Sequence, residues 1–202
     1  TAANAIDPLV RLLGDGRRVR SETPQERAAA VLANLARSGD NKKAIVEAGS
    51  VQPLVAMLSS DSLDAQIYAA GALSHLAALG SNRPTITGAG AIKPLVALLR
   101  NDAPESQKFA TGALYHLASS ADNKVDMVNA GGIPLLVAAL QSRSSEAREH
   151  AAGVLSTLAR TQGGNKKAIF HAGGVMPLVV LLSDPRPATQ RHAACAIWGL
   201  CD

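Results

Sequence analysis

Apolar residues fall along this chain in two kinds of block, and both kinds return at a fixed interval. The shorter block reads Pro-Leu-Val with a leucine three residues on, as in Pro53-Leu54-Val55 with Leu58, then at Pro94-Leu95-Val96 and Pro177-Leu178-Val179. A shifted copy, Ile133-Pro134-Leu135-Leu136-Val137, carries its proline one place early, and Ile6-Asp7-Pro8-Leu9-Val10 stands near the start of the chain. The longer block is Ala-rich and ends on leucine. It runs Ala28 to Leu35, Ala69 to Leu76, Ala110 to Leu117, Ala151 to Leu158 and Ala193 to Leu200. Ahead of four of the Pro-Leu blocks stands an asparagine, at Asn41, Asn82, Asn123 and Asn165, in steps of 41, 41 and 42 residues. Seven residues after each comes Ala-Gly: Ala48-Gly49, Ala89-Gly90, Ala130-Gly131 and Ala172-Gly173.

This pattern predicts three helices per unit. The asparagine suits an N-cap of a short first helix, because its side-chain oxygen can accept a free backbone N–H. The glycine suits the left-handed residue that ends that helix. Proline opens the second helix, where its missing N–H costs little. Polar clusters such as Ser59-Ser60-Asp61-Ser62 break it. The third helix is predicted over 62–78, about 25 Å at ~1.5 Å per residue. No unit of this size can bury its apolar faces alone, so neighbouring units must stack, which defines a solenoid. The expected organisation is one all-α domain over 1–202, with a partial repeat at 1–40 and repeats at 41–81, 82–122, 123–164 and 165–202, about 42 residues each. A chain that starts at Thr1 is expected to be part of a longer array. Leu13 to Leu35 spans 22 residues where Leu58 to Leu76 spans 18. The extra length, over 17–24, predicts a bulging loop.

Composition agrees with closely packed helices. The chain is 47% hydrophobic, and Tyr68, Phe109, Tyr115, Phe170 and Trp198 are its only aromatic residues, so the apolar mass is Ala, Leu, Val and Ile. The formal net charge of +4 is spread among interleaved acids, which implies no nucleic-acid partner; the one dense basic stretch, Arg17-Arg18-Val19-Arg20, reads as a solvated loop. Cys195 and Cys201 lie six residues apart, on different faces of a helix, so neither a disulfide nor a metal set is expected of them. That cysteine usage points to a reducing compartment, so the expected location is intracellular, in the cytoplasm or nucleus. No apolar run reaches the length of a membrane span. There is no phosphate-binding glycine loop, no nucleophile elbow and no compact His/Cys/acid cluster, so no enzyme, cofactor or metal is expected.

The repeated unit Asn-x-x-x-Ile-x-x-Ala-Gly-x-Val/Ile-x-Pro-Leu-Val-x-x-Leu, followed by forms of Ala-Ala-Gly-Ala-Leu-Ser-His-Leu, resembles the armadillo repeat over nearly the whole chain. It resembles the catenin, vacuolar-scaffold and plant armadillo groups more than importin-α. The resemblance implies a right-handed superhelix whose third helices line a concave groove that binds extended protein segments, without shared catalytic residues. One row of that groove, asparagine in the family, here holds Asn34, His75, His116, Thr157 and Gly199. Four residues earlier, importin-α grooves carry tryptophan; this chain has Ala30, Gly71, Gly112, Gly153 and Cys195. Seven residues earlier, where importin-like repeats carry an acid, stand Arg27, Tyr68, Phe109, His150 and His192. Offsets of zero, four and seven share one helix face.

A groove with a floor of small residues and no acids in these rows suits a peptide with apolar anchors and some acids, near Arg27, Arg37 and Arg160, rather than a Lys-rich one. His75 and His116 stand in adjacent repeats without a third ligand, so polar lining is the better reading than zinc. The expected function is a non-enzymatic scaffold or adaptor. The alternatives are a structural subunit using other surfaces and the substrate-recruiting region of a ubiquitin ligase. Trp198 and Ile197 are expected to meet a further repeat, leaving an apolar end open to end-to-end self-association.

Overall fold

In the computed structural model, residues 3–14, 24–161 and 164–201 are described. The basic stretch Arg17-Arg18-Val19-Arg20 and all but the last residue of the bulge expected at 17–24 lie outside them. Among the described residues every regular element is a helix. The backbone divides into two compact units, Thr1–Pro94 and Leu95–Asp202.

The first unit holds α1 (Ala3–Gly14), α2 (Pro24–Leu35), α3 (Gly39–Glu47), α4 (Val51–Met57), α5 (Leu63–Ala77) and α6 (Arg83–Gly88), with a single 3-10 turn at Gly80–Asn82. Here α2 packs on α5, and α1 and α4 close around that pair. Leu32, Ile45, Leu54, Leu73, Leu76 and Ile86 are fully buried within it. The division falls within α7 (Ile92–Leu98). The second unit continues with α8 (Pro104–Leu117), α9 (Ala121–Asn129), α10 (Gly132–Ala139), α11 (Ser145–Ala159), α12 (Asn165–His171), α13 (Val175–Leu181) and α14 (Pro187–Cys201). Its central feature is α11, which packs on α8 on one side and α14 on the other. Ala147, Ala151, Ala152 and Ala159 of α11 are wholly buried; side chains this small let helix backbones approach closely.

The three-helix plan is as the sequence predicts. Helix α5 matches the predicted 62–78 closely, with Ser62 as its N-cap accepting from the Ala65 N–H and Ala78 as its C-cap. Ser144 does the same for α11, accepting from the Ala147 N–H. The four glycines that close the first helices all have left-handed backbones, with φ between +75° and +85°. Each donates its N–H to the carbonyl three residues back, as Gly131 does to Val128 at 2.9 Å. A side chain at such a φ is strained, which fixes glycine there. The prolines stand two residues later than expected. Pro53, Pro94, Pro134 and Pro177 are each the third residue of their helix, still within the first turn, whose N–H groups have no partner in the helix.

The asparagines behave differently from the expected N-caps. None of the four first helices receives a side-chain cap. Instead each asparagine turns its amide backwards and donates to the last carbonyls of the preceding third helix. Asn41 Nδ2 reaches the Leu35 carbonyl at 3.1 Å, and Asn123 reaches Leu117 at 2.9 Å. Asn82 donates to both Leu76 and Lys42, at 3.2 and 3.1 Å. Asn165 lies 3.4 Å from the Leu158 carbonyl and 2.9 Å from Thr161 Oγ1. Helix C-termini leave carbonyls without intrahelical donors, and these amides supply donors to them.

Two further columns recur. Ser60, Asn101, Ser142 and Asp184 each accept the N–H two residues on, turning the chain into the third helix. Six residues after three of them, Gln66, Arg148 and Gln190 donate back to the carbonyl of that same turn residue. Arg148 is the only one of these three that is charged, and it also reaches forward to Asp184 of the next repeat.

Replacing Asn82 or Asn123 with alanine strands buried carbonyls, and is expected to destabilise the chain by about 1–3 kcal/mol. The half-buried Asn41→Ala should cost less. Urea denaturation midpoints of the three variants check the order.

Candidate functional site

The predicted rows lie on the third helices of each unit. In the first, Arg27 and Asn34 stand two turns apart on α2, and Tyr68 and His75 likewise on α5. Arg27, Asn34 and Tyr68 are exposed and His75 is half-buried, while Gly71 between the latter pair is buried. Arg37, just past the end of α2, is exposed. In the second unit, Phe109 and His116 lie on α8, His150 and Thr157 on α11, and His192 and Gly199 on α14. All but the buried Gly199 are half-buried. A Cβ on Gly199 would come within 3.1 Å of Ala159 and Arg160, so glycine at this position allows the close approach of α14 to α11. The Thr157 hydroxyl donates to its own helix, to the Val154 carbonyl at 2.8 Å, and so takes a different role from the family asparagine. The Lys108 amine lies 5.2 Å from the centre of the Phe109 ring.

The floor of small residues is not open throughout. Tyr115 of α8 extends across Gly153 of α11, where an added Cβ would fall 2.5 Å from Tyr115 Cε2. The ring rests between two imidazoles, 5.5 Å from His150 and 5.4 Å from His192, and so spans three helices. Tyr115 Oη lies 3.5 Å from His192 Nε2, and His192 Nδ1 lies 3.3 Å from the Glu149 carbonyl. One tautomer serves both contacts: Nδ1–H donates to the carbonyl and Nε2 accepts from the tyrosine.

His150 is held neutral. Burial, and after it the charges of Arg186 and His192, lower its pKa from 6.5 to about 4, against smaller opposing effects of Glu146 and the Lys108 backbone. Its Nδ1 is buried and without a hydrogen-bond partner. Beside the cluster, charges alternate across the starts of the third helices. Lys108 pairs with Glu105 and Glu146 at 3.7 and 3.9 Å, and Arg186 pairs with Glu146 and Glu149 at 3.9 and 2.8 Å. The acids nearest this face are therefore already engaged by cations.

Sequence reading did not single out Tyr115. The signal lay in the repeats themselves, since the same column holds Ser74, Ser156 and Trp198. Trp198 is exposed and Ile197 half-buried, and Phe170, Val179 and Leu182 are exposed nearby in sequence. Both cysteines are free thiols. Among the described residues no group of three His, Cys, Asp or Glu side chains is placed to hold a metal ion, and no helix is long and apolar enough to cross a membrane.

Gly153→Ala forces Tyr115 off its shelf and is expected to cost about 1–3 kcal/mol, as overpacking does. Adding Tyr115→Ser, the residue of the neighbouring repeats, should recover most of that loss in a double-mutant cycle. Acid should also weaken the fold. As pH falls from 6.5 towards 4 the unfolded chain protonates at position 150 and the folded chain does not, so stability present above 6.5 is progressively lost. His150→Gln should flatten that dependence, measured as urea midpoints at pH 7 and 4.5.

Comparison with known proteins places these features. A model of the plant U-box protein ARM repeat region matches residues 2–202. No curated protein matches the chain. Among solved structures, an engineered protein is 36% identical with a TM-score of 0.81, covering 98% of this chain and 79% of its own. A designed armadillo repeat protein is 29% identical with a TM-score of 0.84 (98% and 83% covered). Another, solved in complex with the peptide (KR)4, is 28% identical with a TM-score of 0.79 and the same coverage. The chain therefore has the all-α armadillo-repeat fold and belongs to the family of the plant U-box protein ARM repeat region.

Proposed function

We propose that this chain is a non-enzymatic protein-binding scaffold that holds an extended partner segment along its third helices. The observation that carries this reading is the set of Phe109, His116, His150 and His192, half-buried side chains with ring faces and polar edges set on the adjacent helices α8, α11 and α14. Arg27, Asn34, Tyr68 and His75 supply comparable lining on α2 and α5. The likeness to a designed armadillo protein solved with a peptide supports the same use.

The ligand chemistry differs from (KR)4. The predicted rows contain no acid, and Glu146 and Glu149 are paired with Lys108 and Arg186. A cationic peptide would have to break those pairs to gain a partner. Apolar anchors flanked by Asp or Glu fit better, with Arg27 and Arg160 exposed near the rows. The family match favours a finer reading as well, in which the scaffold recruits a substrate for a U-box ubiquitin ligase.

A peptide array should give its strongest signals with apolar-acidic sequences; strongest binding to Lys/Arg-rich ones defeats the proposed chemistry. Tyr68→Ala with Phe109→Ala should weaken capture at least tenfold with little change in melting temperature. Undiminished capture points instead to a structural subunit that uses other surfaces.

A further inference from the structure

Each repeat serves as a control for the next, and the departures in the last repeats converge on one place. On the second helices, one column reads Gln52, Lys93, Pro134 and Met176, and the column one turn later reads Ala56, Ala97, Ala138 and Val180. Every one of these positions is exposed. Their exposure is thus a property of the column, whatever follows the repeat. Polar or small residues occupy it until α13, where Met176 is 68% and Val180 67% exposed. Four residues apart, they share one helix face.

That face forms a wall of an open cleft of about 770 Å³ in the second unit, which also takes in the buried Leu140 and Leu181. Its polar end is made by two further departures. Arg148 stands in the column of Gln66, Gln107 and Gln190, and Asp184 in that of Ser60, Asn101 and Ser142. Arg148 donates from Nε and Nη2 to Asp184 Oδ2, at 3.2 and 2.8 Å, and from Nη1 to the Ser142 carbonyl at 3.0 Å. A guanidinium carries five N–H groups, so two remain. Asp184 has no such reserve. Its Oδ2 takes two bonds from Arg148, its Oδ1 takes the Arg186 N–H, and its side chain is 4% exposed where that of Arg148 is 22%. The end of the cleft therefore offers donors and no open carboxylate, and it is complementary to an acid.

We propose that this cleft is a second docking site, distinct from the third-helix face, for a partner segment that seats an aliphatic side chain between Met176 and Val180 and sets an acidic side chain against Arg148. Dispersion and burial at the two exposed side chains supply attraction, and the remaining guanidinium N–H groups set the sign of the charge accepted.

The test uses the full chain and a labelled fourteen-residue helical peptide with two leucines one turn apart and glutamates beside them, together with its Lys-for-Glu and Ala-for-Leu versions. Fluorescence anisotropy should show the Leu/Glu peptide binding at least tenfold more tightly than either control. Met176→Gln with Val180→Ala, which restores the residues of the 52 and 56 positions, should lower that affinity at least tenfold with an unchanged melting temperature. Arg148→Gln with Asp184→Ser removes both charges together and should erase the preference for Glu over Lys. Phe109→Ala should leave this binding unchanged, which separates failure here from failure of the third-helix site. Equal binding of the three peptides overturns the proposal, and so does undiminished affinity in the Met176/Val180 variant. A dimer in sedimentation that dissociates in that variant also overturns it, by showing a second copy of the chain as the occupant.

Discussion

The asparagine amide at each repeat junction holds the end of one third helix against the start of the next repeat. Asn123 is the clearest case: its Nδ2 lies 2.9 Å from the Leu117 carbonyl, and its side chain is buried. A helix end buried without donors would carry a desolvation penalty at each free carbonyl. One side chain in a repeat of about 42 residues meets part of that need, and it does so from a position set by the turn before it. Eight residues on, the left-handed glycine stops the first helix ahead of the second. The Asn-to-Gly interval is eight residues in every copy and the repeat step varies by only one, so local chemistry at two points sets where the third helix can lie.

That placement gives the second unit a third-helix face partly furnished by its own side chains. Tyr115 lies over Gly153 and meets His150 and His192, so a ring and two imidazoles stand where a row of small residues alone would leave a hollow. Keeping His150 uncharged follows from its setting, since a buried imidazolium beside Arg186 would meet like charge with little water to screen it. The engagement of Glu146 and Glu149 by Lys108 and Arg186 then removes the nearby acids that a basic ligand would use. On the proposed reading, selectivity comes as much from what is already paired as from what the surface presents.

What could be read from the sequence follows the range of the interaction concerned. The glycine turns and the extent of α5 depend on residues a few places apart, and they came out as expected. The asparagine role came out reversed. Its amide offers an acceptor and a donor, and the choice depends on where the preceding helix ends in space, which spacing alone does not give. The face carrying Phe109, His116, His150 and His192 was legible because helical period fixes it. Tyr115 was not, because it stands one residue off those rows and reaches two neighbouring helices. The charges from Lys108 to Arg186 were missed for a related reason: the pairs that join them across α8, α11 and α14 link residues 37 to 40 positions apart.

Internal repetition also separates what the fold requires from what it tolerates. The turn before a third helix works with serine or asparagine at 60, 101 and 142, and Gln66 and Gln190 make the backward hydrogen bond without charge. Arg148 and Asp184 make the same backbone contacts and add an ion pair. Burial alone would raise the Asp184 carboxyl, and the Arg148 hydrogen bonds and charge, with the Arg186 N–H and the Thr189 side chain, hold it below its ordinary range. Burying such a pair carries a desolvation cost on both charges, and neutral partners of similar shape often serve stability as well or better. Met176 and Val180 likewise keep apolar surface in water where glutamine, lysine or alanine serves elsewhere. The armadillo framework needs none of these four residues, and Tyr115 replaces a serine that two other repeats find sufficient. Residues that the fold does not demand, gathered at two places in one unit, mark where this chain differs from a plain stack of repeats, and the binding proposed at each place gives that concentration a physical reason.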